Sequence, residues 1–242
     1  MQSKRGRLDR FLSVALHINR KHVRLLLAQG RVIVNGDPAK DIALPINEFS
    51  HIVCDGQVLQ CISPIYVMLH KPTGVVSATK DDKHTCVVDL LDDQLKKQVH
   101  LVGRLDLNTS GLLLLTNDSR WSEALMLPEA KVTKEYWVTL ANPLTSEYVK
   151  AFAEGMYFDY EGITTKPAEL EIVGSHRAKV TLREGRYHQI KRMFGRFRNP
   201  VVELHRHQIG SLTLDPRLQP GQSRRLTQQE LQALDVPFAH SS

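Results

Sequence analysis

Residues 103–118 read Gly-Arg-Leu-Asp-Leu-Asn-Thr-Ser-Gly-Leu-Leu-Leu-Leu-Thr-Asn-Asp, a polar loop around Asp106 that runs straight into four consecutive leucines. Four leucines in a row have no polar side, so Leu112–Leu115 fits a buried strand. A carboxylate is thereby delivered to the threshold of a core. Taken alone, Asp106 is also what turns are made of, since Asp hydrogen-bonds its own backbone.

The 242 residues, 42% of them apolar, suffice for one large domain or two unequal ones. A net charge of +6 and a pI near 9.3 favour a polyanionic partner, because clustered Lys and Arg release counterions from phosphates. Cys54, Cys61 and Cys86 form no Cys-x-x-Cys pair, which suggests neither a disulfide framework nor a zinc site. They read as reduced cytosolic thiols. Met1–Arg10 is basic and then amphipathic without an apolar leader core, and no run approaches membrane-spanning length. A cytoplasmic location is expected.

Two segments follow from the patterning. Leu8, Phe11, Leu12, Ala15 and Leu16 recur at helical spacing, and Asn19 can cap a second helix carrying Val23, Leu26 and Leu27 and ending at Gly30. Arg20, Lys21 and Arg24 cluster on its first turns. The alternation over 31–34 reads as a strand closed by Asn35-Gly36, and 51–54 as another closed by Asp55-Gly56. Through Arg7-Leu8-Asp9 and the stretch 30–36, residues 1–61 resemble the small RNA-binding domain first known from a small-subunit ribosomal protein. That resemblance makes Arg7, Arg20, Lys21 and Arg24 candidate RNA contacts, against the alternative of a solvated helix face. Ser63-Pro64 breaks the chain, and a second domain is expected over 66–236.

The remainder mixes strands (112–115, 131–140, 168–173, 178–182 and 201–204) with helices (119–127, 145–153, 186–197 and 228–234), the last with a Thr227/Glu230 capping box. An α+β domain with a mixed, mostly antiparallel sheet is predicted. A P-loop, a Gly-x-Gly-x-x-Gly and a His-Glu-x-x-His are all absent, so nucleotide cofactors and zinc hydrolysis lose support.

The segment 103–118 resembles the signature of the pseudouridine synthases, in particular the RsuA family, which modifies ribosomal RNA and carries the N-terminal module just described. The resemblance implies that Asp106 is the catalytic residue. Lys134-Glu135-Tyr136 is similar to the second motif of the family, whose tyrosine stacks on the target base, which implies Tyr136; a core aromatic is the alternative. Glu184-Gly185-Arg186-Tyr187-His188-Gln189-Ile190-Lys191-Arg192-Met193-Phe194 is similar to the third motif, whose basic residue pairs with the aspartate. Alignment on His-Gln-Ile makes that residue Lys191. A buried carboxylate needs such a partner, because desolvation opposes its charge and a neighbouring cation favours it. The family also places an aliphatic residue below the base, for which Leu204 is the candidate. Arg104, two residues before Asp106, could brace the vacated space, and Arg186, Arg192, Arg196 and Arg198 suit phosphate contacts, with a solvated charged face as the alternative.

What the resemblance implies is isomerisation of a uridine: the C1′–N1 bond breaks, the base turns and rejoins through C5. No group is gained or lost, so neither cofactor nor metal is expected. Asp106 can attack C1′ or remove a ribose proton, and both routes are open. The target must leave its stack to reach the carboxylate. The Tyr-His-Gln-Ile-Lys form of the third motif is closer to the branch acting on small-subunit (16S) rRNA than to the large-subunit branch, which commonly reads Asn-Arg-Gln-Val-Arg. The partner expected is ribosomal RNA, bound by a monomer, with an assembling small-subunit particle as a further setting. The alternatives are a large-subunit rRNA enzyme, a non-catalytic RNA-binding assembly factor, and a hydrolase that would need Asp118 or Glu135 as a second acid.

Overall fold

The computed structural model describes residues 6–127 and 130–234. The basic start of the chain and the expected domain end at 235–236 lie outside them. The chain forms two compact units that divide between Pro64 and Ile65.

In the first unit the helices Leu8–Ala15 and Arg20–Ala28 bury Leu8, Leu12, Val23 and Leu27 against Val32, Val34, Ile52 and Cys54 of a four-stranded antiparallel sheet. The Asn19 side chain accepts the His22 N–H and so satisfies one of the free donors at the second helix's start. Asn35 (φ 53°) with Gly36 (φ 95°), and Asp55 (φ 52°) with Gly56 (φ 79°), give tight turns whose twist matches that of the strands they join.

The second unit is built on a nine-stranded sheet. Its spatial order is Glu169–Gly174, Arg177–Leu182, Lys134–Leu140, Val201–Ile209, Ser110–Thr116, Tyr66–Lys71 and Ser223–Arg225. His100–Val102 adds to Ser110–Thr116, and Leu212–Thr213 to Val201–Ile209. Among the described strands of this sheet all pairs are antiparallel except one, where Val201–Ile209 meets Ser110–Thr116 in parallel. With its helices packed on this sheet the domain is α+β.

The four leucines explain the layering. Leu113 and Leu115 point into a core shared with Phe152, Ile190, Met193 and Phe194, whereas Leu112 and Leu114 point into another with Trp121, Leu125 and Leu234. All four are 0% exposed, and each contributes about 1.5–3 kcal/mol through burial. Gly111, at the head of the run, has φ +113°, and a Cβ there would strike the backbone of Arg206 on the parallel neighbour. Only glycine allows the two strands to meet at this point.

The structure departs from the sequence reading in several places. The helix expected over 186–197 is Gln189–Gly195, because the Gln189 side chain accepts the Arg186 N–H and donates to Glu184, folding 184–188 into a turn before the helix begins. The strand expected over 201–204 continues to Ile209, and that expected over 131–140 starts at Lys134. The helix Asp93–Gln98 and the strands His100–Val102 and Ser223–Arg225 are additions. The Thr227/Glu230 capping box forms at the helix Gln228–Ala233. Among the described residues, no helix is long and apolar enough to cross a membrane.

Candidate active site

A cavity of about 580 Å³ opens over the sheet of the second unit, between the loop 103–109 and the turn 185–190. Its floor is set by register. Tyr136 lies directly across from Arg206 and Val138 from Leu204, so period-two alternation turns Tyr136, Leu204 and Arg206 to one face. Lys134 and Leu182, themselves cross-strand partners, extend that surface.

Asp106 hangs over this floor. Its Oδ2 lies 3.8 Å from Lys191 Nζ, and its Oδ1 lies 3.5 Å from His188 Nε2. The carboxylate is not sequestered as the sequence reading expected: 27% of the side chain remains exposed, because the loop presents it to the open cavity. Lys191 projects from the helix Gln189–Gly195, close enough for an ion pair. His188 precedes that helix in a left-handed conformation (φ 49°) and stacks on exposed Tyr187 at 3.9 Å between ring centres. The backbone turn and the stack together aim the imidazole at the carboxylate.

The loop is held through its backbone. Lys71, fully buried at the end of the strand Tyr66–Lys71, shares its ammonium N–H groups among the carbonyls of Pro72 (2.9 Å), Asp106 (3.1 Å), Leu107 (3.3 Å) and Thr109 (2.9 Å). Burial pushes its ammonium down to about 8, against the pull of Asp106. Ser77 Oγ donates to the Leu105 carbonyl at 2.7 Å and accepts the Leu105 N–H at 3.0 Å, and the Gly74 N–H reaches the Leu107 carbonyl. Asp106 is thus fixed by the residues on either side of it.

Of the other candidates, Arg104 is exposed at the cavity's edge, and Arg186 lines it while pairing with Glu184 at 2.9 Å. Arg192 lies elsewhere. It covers the Phe158 ring at 3.7 Å and is ion-paired with Glu161, so its helix turns it away from Asp106. Arg196 pairs with Asp159 at 3.3 Å. In the first unit, Arg7 and Arg20 both hold buried Asp9 at 2.9 Å, whereas Lys21 and Arg24 are exposed. Neither acid required by a hydrolase reaches the cavity: Asp118 caps the helix Ser119–Met126 and accepts from Tyr66, and Glu135 faces Lys179.

Sequence reasoning did not single out Lys71, His188 or Arg206 for a role at this site. A charged residue closing the apolar run 66–69 just before a proline was the available signal for Lys71. For Arg206 it was strand alternation with Leu204.

The RNA pseudouridylate synthase family model matches residues 65–195, and the S4 domain model matches 6–58. Ribosomal small subunit pseudouridine synthase A of Pseudomonas aeruginosa is 46% identical over 93% of this chain and 98% of its own. The protein of the same description from Escherichia coli is 39% identical over 93% and 98%. A solved structure described as a pseudouridylate synthase superposes with a TM-score of 0.69 at 38% identity, covering 94% of this chain and 99% of its own.

Proposed function

This chain belongs to the RNA pseudouridylate synthase family, and from that premise we propose that the uridine it isomerises lies in small-subunit (16S) ribosomal RNA, with Asp106 as the essential group. The observation that carries the reading is the placing of Asp106 within reach of Lys191 over a floor of Tyr136 and Leu204. A uracil turned out of its stack finds an aromatic and an aliphatic surface there, and its ribose C1′ meets the carboxylate. Near-full-length similarity to enzymes named for the ribosomal small subunit supports that substrate over the large subunit and over a non-catalytic assembly factor.

Tyr136 stacks on the base, Leu204 supports it from below, and Lys191 compensates the charge of Asp106. Arg104 braces the space left by the extruded nucleotide and Arg186 meets phosphate. Residues 1–61 add affinity and placement through Arg7, Arg20, Lys21 and Arg24, and 66–236 carry the chemistry. The protein acts as a monomer in the cytoplasm, on ribosomal RNA that includes assembling small-subunit particles. Incubating the purified protein with unmodified rRNA of both subunits and mapping pseudouridine tests this. One new site in the small-subunit RNA is expected, and a site confined to large-subunit RNA overturns the substrate assignment.

A further inference from the structure

Arg206 is a cation buried in the cavity floor, only 3% exposed. Its Nε donates to the Leu112 carbonyl at 2.8 Å, its Nη2 is buried without a hydrogen-bond partner, and no carboxylate lies within ion-pair distance among the described residues. Lys134, two residues before Tyr136, lines the same floor and likewise has no ion pair among them. Burial and then the charge of Arg206 push the Lys134 ammonium down. A buried guanidinium and a half-buried ammonium near enough to repel each other destabilise the resting protein. Asp106, the one carboxylate lining the cavity among the described residues, already faces Lys191 and His188. The floor is therefore arranged for a negative charge that arrives during the reaction.

We propose that Arg206, with Lys134 beside it, stabilises the uracil anion released when the glycosidic bond breaks. On either route the C1′–N1 electron pair leaves with the base. If Asp106 attacks, its oxygen lone pair forms the C1′–O bond. If Asp106 takes the C2′ proton, the C2′–H pair becomes the C1′=C2′ bond. In both cases one negative charge passes from Asp106 to uracil, where it is shared by N1 and the carbonyl oxygens O2 and O4. A guanidinium and an ammonium on the sheet face, fixed by strand register, stabilise that charge without reorganising. Because the gain appears only as the bond breaks, it raises turnover and leaves RNA affinity alone. The inference rests on the role of Asp106 proposed above.

The test uses the full chain with Arg206→Gln, Arg206→Lys and Lys134→Met, and with RNA carrying uridine or 5-fluorouridine at the target position. Fluorine makes the departing base a weaker base that needs less help. Single-turnover bond cleavage is read by nucleoside analysis, and affinity by filter binding. Arg206→Gln is expected to slow uridine cleavage by about 100-fold or more at unchanged affinity. Its deficit should be several-fold smaller on 5-fluorouridine RNA, and Arg206→Lys should retain most activity. Equal deficits on the two RNAs, or a loss explained by weaker binding, overturn the proposal. Should Arg206→Gln fail to fold, Lys134→Met carries the same comparison, with a smaller deficit on the fluorinated RNA supporting the proposal and an equal one overturning it. Wild-type turnover on both RNAs and its loss in Asp106→Asn report on the reading of the site, and only the ratio of deficits reports on Arg206.

Discussion

On the helix Arg20–Ala28, Lys21 and Arg24 stand in solvent with no carboxylate in ion-pair distance among the described residues. Around Asp106 the same residue types are buried: Lys71 among four carbonyls, Arg206 against the Leu112 carbonyl, and Lys191 half-buried beside the carboxylate. A solvated cation costs little to keep, and it acts on RNA through released counterions, each nearly independent of the next. A buried cation acts through geometry, so its loss damages folding or chemistry at one place. What the two regions teach is that burial, more than charge, decides whether a Lys or Arg contributes affinity or rate.

The largest expected effect sharpens this contrast at Lys71. Lys71→Met keeps the volume but leaves four carbonyls without their donor, and it should lower stability by at least about 3 kcal/mol in urea unfolding, with turnover lost. A loss under about 1 kcal/mol would mean that the loop holds itself. At Lys191, substitution by Met should slow turnover on bound RNA by about 100-fold while affinity and stability stay near wild type. If binding fell and bound RNA still turned over normally, Lys191 would be a phosphate contact, and the contrast would break. The mildest changes belong to the first unit. Lys21→Ala and Arg24→Ala should each reduce the slope of log affinity against log salt by about 0.7 to 0.9 without altering turnover on bound RNA. Unchanged slopes would return this helix face to plain solvated surface.

The same contrast governs what could be read from the chain itself. Local rules identified the helix started by Asn19, the turns at Asn35-Gly36 and Asp55-Gly56, and the capping box at Thr227, because each is settled within a few residues. Leu112–Leu115 was legible as a buried strand, since four leucines admit no solvent face. The motif around Asp106 pointed to a candidate site, but the cage around Lys71 joins residues about 35 apart and no local pattern encodes it. The helix start was misplaced by three residues because Gln189, Arg186 and Glu184 bond one another across the turn instead of continuing the helical repeat. That displacement hid His188, whose left-handed backbone brings it to Asp106. Arg192, an RNA-contact candidate from the density of basic residues around it, covers the Phe158 ring and pairs with Glu161, contacts that join residues over 30 apart and that no local pattern encodes.

Asp106→Asn tests the central claim most directly, because the substitution preserves shape and removes only the ionisable group. The measurement is single-turnover pseudouridine formation on small-subunit rRNA at saturating enzyme, paired with RNA affinity and thermal unfolding of the same preparation. The account predicts no detectable product with affinity and melting close to wild type, since Lys71 and Ser77 hold the loop through its backbone and touch no side-chain atom of residue 106. Product formed at a rate near wild type would contradict it and would move the chemistry to another group in the cavity.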